Sequence, residues 1–141
     1  MSQRGAVVLP GQTSGSGSTG VRIAQYTWGD NGHAEVGTSL MPMITAEVAT
    51  QLLHWRITAN DAPTGSSLIY DVKKGGSSIF PSGSGNKIVL PAGQSEAEGT
   101  TFAASPYSLA VGNKLLLDCL QIGSGNPGTQ IEIQITAQVT A

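Results

Sequence analysis

From Ile131 to Val139 the chain alternates with a period of two: Ile131, Ile133, Ile135 and Val139 share one face, and Glu132, Gln134, Thr136 and Gln138 share the other. This is the pattern of a strand buried on one side and wet on the other. A 3.6-residue period appears nowhere convincingly. The best helix candidate, Ala46 to Leu53, flows into His54-Trp55-Arg56-Ile57-Thr58, where Leu53, Trp55 and Ile57 alternate inward, so Thr50 to Ala59 reads as a strand. A chain whose segments have only the strand period must satisfy its backbone by pairing strands with one another.

Other segments extend the pattern. Val21 to Trp28 alternates and is closed by the turn signal Gly29-Asp30-Asn31-Gly32. The cluster Asn60-Asp61-Ala62-Pro63-Thr64-Gly65 precedes a strand at Leu68 to Val72, and Lys73-Lys74-Gly75-Gly76 links it to Ser77 through Phe80. Lys87 to Leu90 and Thr100 to Ala103 fit further short strands. Leu115 to Ile122 is apolar on both sides, with Leu115, Leu117 and Cys119 on one and Leu116, Leu120 and Ile122 on the other. One side must join the core, and the other needs a second cover, for which a neighbouring subunit is the economical answer in a small domain. Leu116, Leu120 and Ile122 are therefore the expected oligomer contacts. About eight short strands parted by Gly, Pro and Asn turns, without crossover helices, predict an all-β antiparallel sandwich or jelly-roll-like domain. Ala6 to Leu9 is a short apolar patch, and Gly11 to Gly20 has the Gly/Ser/Thr composition of a flexible connection or extended arm. The expected organisation is an N-terminal arm and first strand over residues 1–45 and a sandwich domain over 46–141.

Composition narrows the function classes. A chain of 141 residues can bury a real core in one domain. Charged residues make up 11%, against roughly 25% in ordinary globular proteins, so the surface must be mostly Ser, Thr, Asn, Gln and Gly. Seven basic residues are scattered among nine acidic ones, which assembles neither a phosphate-neutralising stripe nor a polybasic membrane patch. Nucleic acid and membrane are excluded as expected partners. Cys119 is the single cysteine, so no internal disulfide can form, and folding in a reducing cytosol is expected. The apolar run ending at Pro10 is shorter than a signal peptide's, so release by another route, such as cell lysis, is expected.

The chemical motifs are weak. Gly15-Ser16-Gly17-Ser18-Thr19-Gly20 and Gly123-Ser124-Gly125-Asn126-Pro127-Gly128 both match the dinucleotide-binding glycine spacing, but each leads into a strand where phosphate binding needs a helix N-terminus. They read as linker and turn. His33 and His54 stand alone, without metal-ligand spacing. Asp71 and Asp118 each lie mid-strand between core-facing residues and so point to the opposite face; they read as solvated or hydrogen-bonded carboxylates, with a shared cation or glycan site as the functional alternative. Trp28, Tyr26 and Tyr107 could stack on sugars, although strand aromatics more often pack. Cys119 sits in an apolar run that quietens a thiol. No catalytic residue, cofactor or metal is expected.

Two stretches carry a family resemblance. Ala62-Pro63-Thr64-Gly65-Ser66-Ser67-Leu68-Ile69-Tyr70-Asp71-Val72-Lys73-Lys74-Gly75-Gly76-Ser77-Ser78-Ile79-Phe80 resembles a segment of tailed-bacteriophage virion proteins that reads APTG-S-LI-DV-K-G-TIF before a proline- or glycine-rich bend. Leu115-Leu116-Leu117-Asp118-Cys119-Leu120-Gln121-Ile122-Gly123 resembles the same family's LTVDVDQVGS strand, and the likeness spans about residues 50 to 140. It implies a β-sandwich module, often trimeric, of the kind found in head decoration, head fibre, tail fibre and minor tail proteins. Leu120 stands where the family often has an acidic residue, and the chain lacks a long fibrous N-terminal region, which argues against a full-length fibre. The function so implied is a trimeric capsid decoration, or cement, protein on the virion surface, made in the host cytoplasm. Its partners would be itself and the phage major capsid protein, gripped by an arm that includes Arg4, Val7, Val8 and Leu9. The alternative is a receptor-binding or fibre-tip module recognising a host surface glycan through loops such as Pro81 to Asn86 and Gly123 to Gly128. A polysaccharide hydrolase is a third class, and it would need Asp71 and Asp118 paired in a groove.

Overall fold

The computed structural model describes residues 22–38 and 41–140, together with the backbone of residues 4–13. Its strands are β1 (Arg4–Thr13), β2 (Arg22–His33), β3 (Ile44–Thr45), β4 (Thr50–Thr58), β5 (Leu68–Lys74), β6 (Ser77–Ser78), β7 (Ile88–Leu90), β8 (Glu96–Gly99), β9 (Tyr107–Leu109), β10 (Lys114–Gln121) and β11 (Thr129–Val139). They form two antiparallel sheets. The first has the order β1-β2-β11-β4-β8, with β9 also on β4; the second has the order β3-β10-β5-β6, with β7 also on β5. The architecture is the expected all-β antiparallel sandwich.

The core lies between the sheets. Tyr26 and Trp28 from β2, Leu52, Trp55 and Ile57 from β4, and Ile131, Ile133 and Ile135 from β11 meet Leu68, Tyr70 and Val72 from β5 and Leu115, Leu117 and Cys119 from β10. Each such aliphatic or aromatic side chain contributes about 1.5–3 kcal/mol by leaving water. The alternation of β11 has the predicted phase: its isoleucines are buried, while Glu132 is exposed and Gln134 half-buried.

Four expectations change. Leu53 is exposed and Leu52 takes the inward place, because β4 carries a bulge: His54 pairs with Thr136, yet Leu52 pairs with the next residue, Ala137. A second bulge falls at Leu120, where Cys119 pairs with Tyr70 and Gln121 with Ile69. Past it the alternation reverses, and Ile122 packs against the domain's own core and does not join Leu116 on the opposite face. The turn signal at Gly29-Asp30-Asn31-Gly32 is overridden: β2 runs on to His33, with Asp30 paired to Arg4 on one side and Ile131 on the other. Thr100 to Ala103 is loop; the strands there are β8 before it and β9 after it.

The expected division at residue 45 does not separate two units either. β2 lies between β1 and β11 and gives Ala24, Tyr26 and Trp28 to the core, so the sandwich includes the segment from Arg22 onward. β1 runs along β2 with a break between Leu9 and Gln12, around Pro10; a residue without an N–H suits an edge strand. Arg4, Val7, Val8 and Leu9, the expected arm contacts, fall on this strand, and their side chains lie outside the described residues, as does Gly15 to Gly20.

Candidate functional site

Asp71 and Asp118 are the only sequence-flagged ionisable residues that the fold brings together among the described residues. Each lies between inward-facing neighbours, Tyr70 and Val72 on β5 and Leu117 and Cys119 on β10, and so each points away from the inter-sheet core. The β5–β10 register sets Asp118 directly opposite Asp71, a placement that brings Cβ atoms to about 5 Å. On the other side of β5 the pairs Ile69–Val89 and Tyr70–Ile88 carry forward to Lys87, one residue before β7. Lys87, Asp71 and Asp118 thus form one row across three neighbouring chain segments.

This row is buried, so of the two expected states, solvated or hydrogen-bonded, the carboxylates are in the second: Asp71 is 3% exposed and Asp118 2%. A buried carboxylate costs several kcal/mol unless it is paired, and each has an ammonium. Lys73 Nζ lies 3.1 Å from Asp118 Oδ2, and Lys87 Nζ lies 3.8 Å from Asp71 Oδ2. Ser78 ties the row together. Its hydroxyl donates to Asp71 Oδ1 at 2.5 Å, while its oxygen accepts from Lys87 Nζ at 3.1 Å and from the Phe80 backbone N–H at 3.1 Å. With both lone pairs engaged, the Ser78 proton has only the carboxylate to serve. Two ammonium groups against two carboxylates leave the row neutral and take the places a cation would occupy, and no cluster of three or more metal-ligating side chains occurs among the described residues.

The remaining candidates are dispersed. Tyr26 and Trp28 are fully buried and closed to a stacking sugar. Tyr26 Oη and Thr50 Oγ1 are hydrogen-bonded at 3.0 Å, and burial pushes the phenol up despite that bond. Trp28 Nε1 has no hydrogen-bond partner among the described residues. Tyr107 is half-buried beside Phe102, with Lys74 Nζ 5.0 Å from its ring centroid. His33 is exposed at the end of β2 and His54 half-buried on the outer side of β4. Burial pushes the Cys119 thiol up to about 11, so it is protonated at neutral pH and unsuited to nucleophilic work.

The loop Gly123 to Gly128 interlocks with the loop after Pro63. Thr64 N–H donates to the Asn126 carbonyl at 3.0 Å, Gly125 N–H to the Thr64 carbonyl at 2.9 Å and Asn126 N–H to Thr64 Oγ1 at 2.7 Å. The two stretches that carry the phage resemblance pair along β5 and β10 and meet again beside this loop, where the Ser66 hydroxyl donates to the Ile122 carbonyl at 2.8 Å. β11 follows the loop, so no helix N-terminus is present to hold a phosphate. The loop Pro81 to Asn86 is largely exposed and is closed by Asn86 Nδ2 donating to the Ser82 carbonyl at 2.6 Å.

Three surface hollows among the described residues are shallow. One of about 220 Å³ lies among Leu52, Phe102, Pro106 and Tyr107, one of about 180 Å³ among Trp55, Asn86, Lys87 and Thr101, and one of about 160 Å³ among Arg56, Thr58, Glu132 and Gln134. Small-molecule sites usually offer about 300–1,000 Å³. Lys73, Lys87 and Ser78 were not singled out from sequence. Lys73 could have been, since it lies two residues from Asp71 and hence on its face, but Lys87 and Ser78 need the long-range pairing.

Of the expected oligomer contacts, Leu116 is half-buried and Leu120 exposed. The outer side of β2, β11 and β4 is broad and carries Gln25, Thr27, Gln51, His54, Gln134, Thr136 and Gln138, all half-buried.

No protein-family model matches the sequence, and no curated protein matches it. Among solved structures the chain is similar to a chain of the cyanophage Pam1 capsid asymmetric unit, with a TM-score of 0.51 and 16% identity over 94% of this chain and 93% of that one. It is also similar to a family 35 carbohydrate binding module from Clostridium thermocellum, with a TM-score of 0.41 and 12% identity over 94% of this chain and 90% of that one. The likeness to the Pam1 chain is one of fold: a β-sandwich followed from end to end.

Proposed function

We propose that this chain is a structural protein of a bacteriophage particle, a decoration module that sits on the capsid as a trimer and acts by binding, without catalysis. The observation that carries the reading is the outer side of β2, β11 and β4. Its amide and hydroxyl side chains present a wide face, and the charges beside it, Arg56, Glu96, Glu98 and Glu132, gather toward the β8 edge and one end. Close protein contact strips water from whatever it covers, which is costly for charges and cheap for amides and hydroxyls that find new hydrogen bonds. The Pam1 capsid chain adds an analogy of fold, which raises the weight of a particle role without assigning it. Exposed Leu120, with half-buried Leu116 on the same strand, supplies apolar surface for self-association. A trimer would grip the major capsid protein at several points at once, so avidity would hold it where single contacts are weak.

The test mixes the purified protein with native capsids that lack it and sediments them, with analytical ultracentrifugation of the protein alone. A trimer that pellets with capsids in fixed stoichiometry supports the proposal. A protein that leaves capsids bare and binds host cells refutes it in favour of a receptor-binding module.

A further inference from the structure

We propose that the row across the second sheet forms an intramolecular amide crosslink between Lys87 Nζ and the Asp71 side chain, with Asp118 relaying the proton. Nothing in this chemistry depends on the particle role. Four observations bear on it. The Lys87 side chain is 12% exposed and that of Asp71 4%, so the pair is largely buried, more so than the Lys73 ammonium, whose side chain is 36% exposed. Nζ and carboxylate lie within 4 Å, and the β5–β7 pairing, carried one residue beyond β7, sets Lys87 beside Asp71. A second buried carboxylate, Asp118, stands directly opposite Asp71 on the neighbouring strand β10. Ser78 holds both reacting groups: it accepts from Lys87 Nζ and donates to Asp71 Oδ1, the oxygen on which negative charge would develop.

Burial penalises an ammonium and a carboxylate alike, and passing one proton from Lys87 Nζ to Asp71 Oδ2 removes both charges at once. The amine lone pair then attacks Asp71 Cγ, making the N–C bond and placing negative charge on Oδ1, where the Ser78 hydroxyl already points. The Asp118 carboxylate takes a proton from the attacking nitrogen and returns it to the departing oxygen. The Cγ–Oδ2 bond breaks and water leaves. An ammonium and a carboxylate have become an amide and one water, with no change of oxidation state and no co-reactant. The product ties the segment before β7 to the middle of β5 by a bond that heating or denaturant does not break.

Intact-mass measurement of the denatured full chain tests this. The expected result is a mass one water below that of the sequence, with trypsin yielding a branched peptide that joins the Lys87 and Asp71 segments, because an acylated lysine is no longer cut. Asp118→Asn keeps the shape of the side chain and is expected to fold, by circular dichroism, at the full sequence mass. Asp71→Asn is expected to lose ammonia in place of water, since nitrogen becomes the leaving group. A wild-type chain at full sequence mass overturns the proposal, as does a water loss mapped to any other aspartate. Asp118→Asn chains that lose water as completely as wild type overturn the assignment of Asp118.

Discussion

Gly123→Ala tests whether the interlocked loops hold the sandwich together. An added Cβ would lie 2.0 Å from the Asn126 carbonyl oxygen, 2.9 Å from Thr64 N and 3.0 Å from Pro63 Cβ. The two nearest of these are backbone atoms, so no rotation of a flexible side chain can make room. The loop must open, and opening forfeits the three hydrogen bonds between Thr64 and the segment from Gly125 to Asn126. At about 0.5–1.5 kcal/mol each, the loss is about 3 kcal/mol. For a domain of this size that lowers Tm by about 10 °C. Urea unfolding followed by the fluorescence of buried Trp28 and Trp55 reads the loss as a fall in midpoint at constant slope. Two controls separate the mechanism from generic glycine effects. Gly85→Ala meets nothing within 4 Å and needs no left-handed backbone, so it should be neutral. Gly112→Ala also has space but sits at φ +89, which costs about 1–2 kcal/mol. A Gly123→Ala protein no less stable than Gly112→Ala would refute the interlock.

Stability should fall as pH rises from about 9 towards 11, because the unfolded Cys119 thiol ionises near 9.0 while burial holds the folded one up to about 11; the contribution is complete below pH 9 and worth up to about 3 kcal/mol. Cys119→Ala should flatten that part of a pH-dependent urea titration, and an unchanged slope would count against it. The Arg56–Glu96 bridge is short, at 2.6 Å, but its side chains are 43% and 64% exposed, so Glu96→Gln should change stability by less than about 0.5 kcal/mol in the same assay. Leu120→Lys should split the oligomer in sedimentation equilibrium and leave the monomer's circular dichroism intact; oligomers that survive would reject that contact. Lys73→Met should destabilise by up to about 3 kcal/mol, while the double variant Lys73→Met, Asp118→Leu should recover most of the loss; a double variant as weak as the single one would show that the ion pair itself contributes net stability.

The fold class was legible because β11 and β10 carry their burial pattern in one segment, without reference to a partner. The bulges at Leu53 and Leu120 were not, because a bulge belongs to a pair of strands: nothing near Leu53 marks that Thr136 and Ala137 will meet His54 and Leu52. A single inserted residue then moved Ile122 to the other side of its sheet. β8 was invisible for a different reason. Glu96-Ala97-Glu98-Gly99 has no apolar alternation, and it is a strand because it lies along β4, where charged side chains suit the outermost position. At Asp30-Asn31-Gly32 the local turn chemistry was real, since Asp30 Oδ1 accepts from Gly32 N–H at 2.9 Å, but pairing on both sides of β2 outweighed it.

The candidate site shows the same boundary between local and long-range information. The parity of Asp71 and Asp118 was readable from their neighbours, and their burial was not, because the lysines and the serine that make burial tolerable come from other strands. The row also has a consequence for the fold itself. β5 and β10 are apolar for most of their length, and a slip of one residue between such strands costs little in apolar contact but turns every side chain of one strand to the opposite face. Here that slip would carry Asp118 or Asp71 into the inter-sheet core, away from Lys73, Lys87 and Ser78, leaving a carboxylate buried and unpaired at a cost of several kcal/mol. Apolar residues in the same places would stabilise the sheet at least as well in its correct register, and would not penalise the wrong one. The two aspartates therefore select the alignment that brings Lys87 beside Asp71, and that alignment is also the condition for any bond between them.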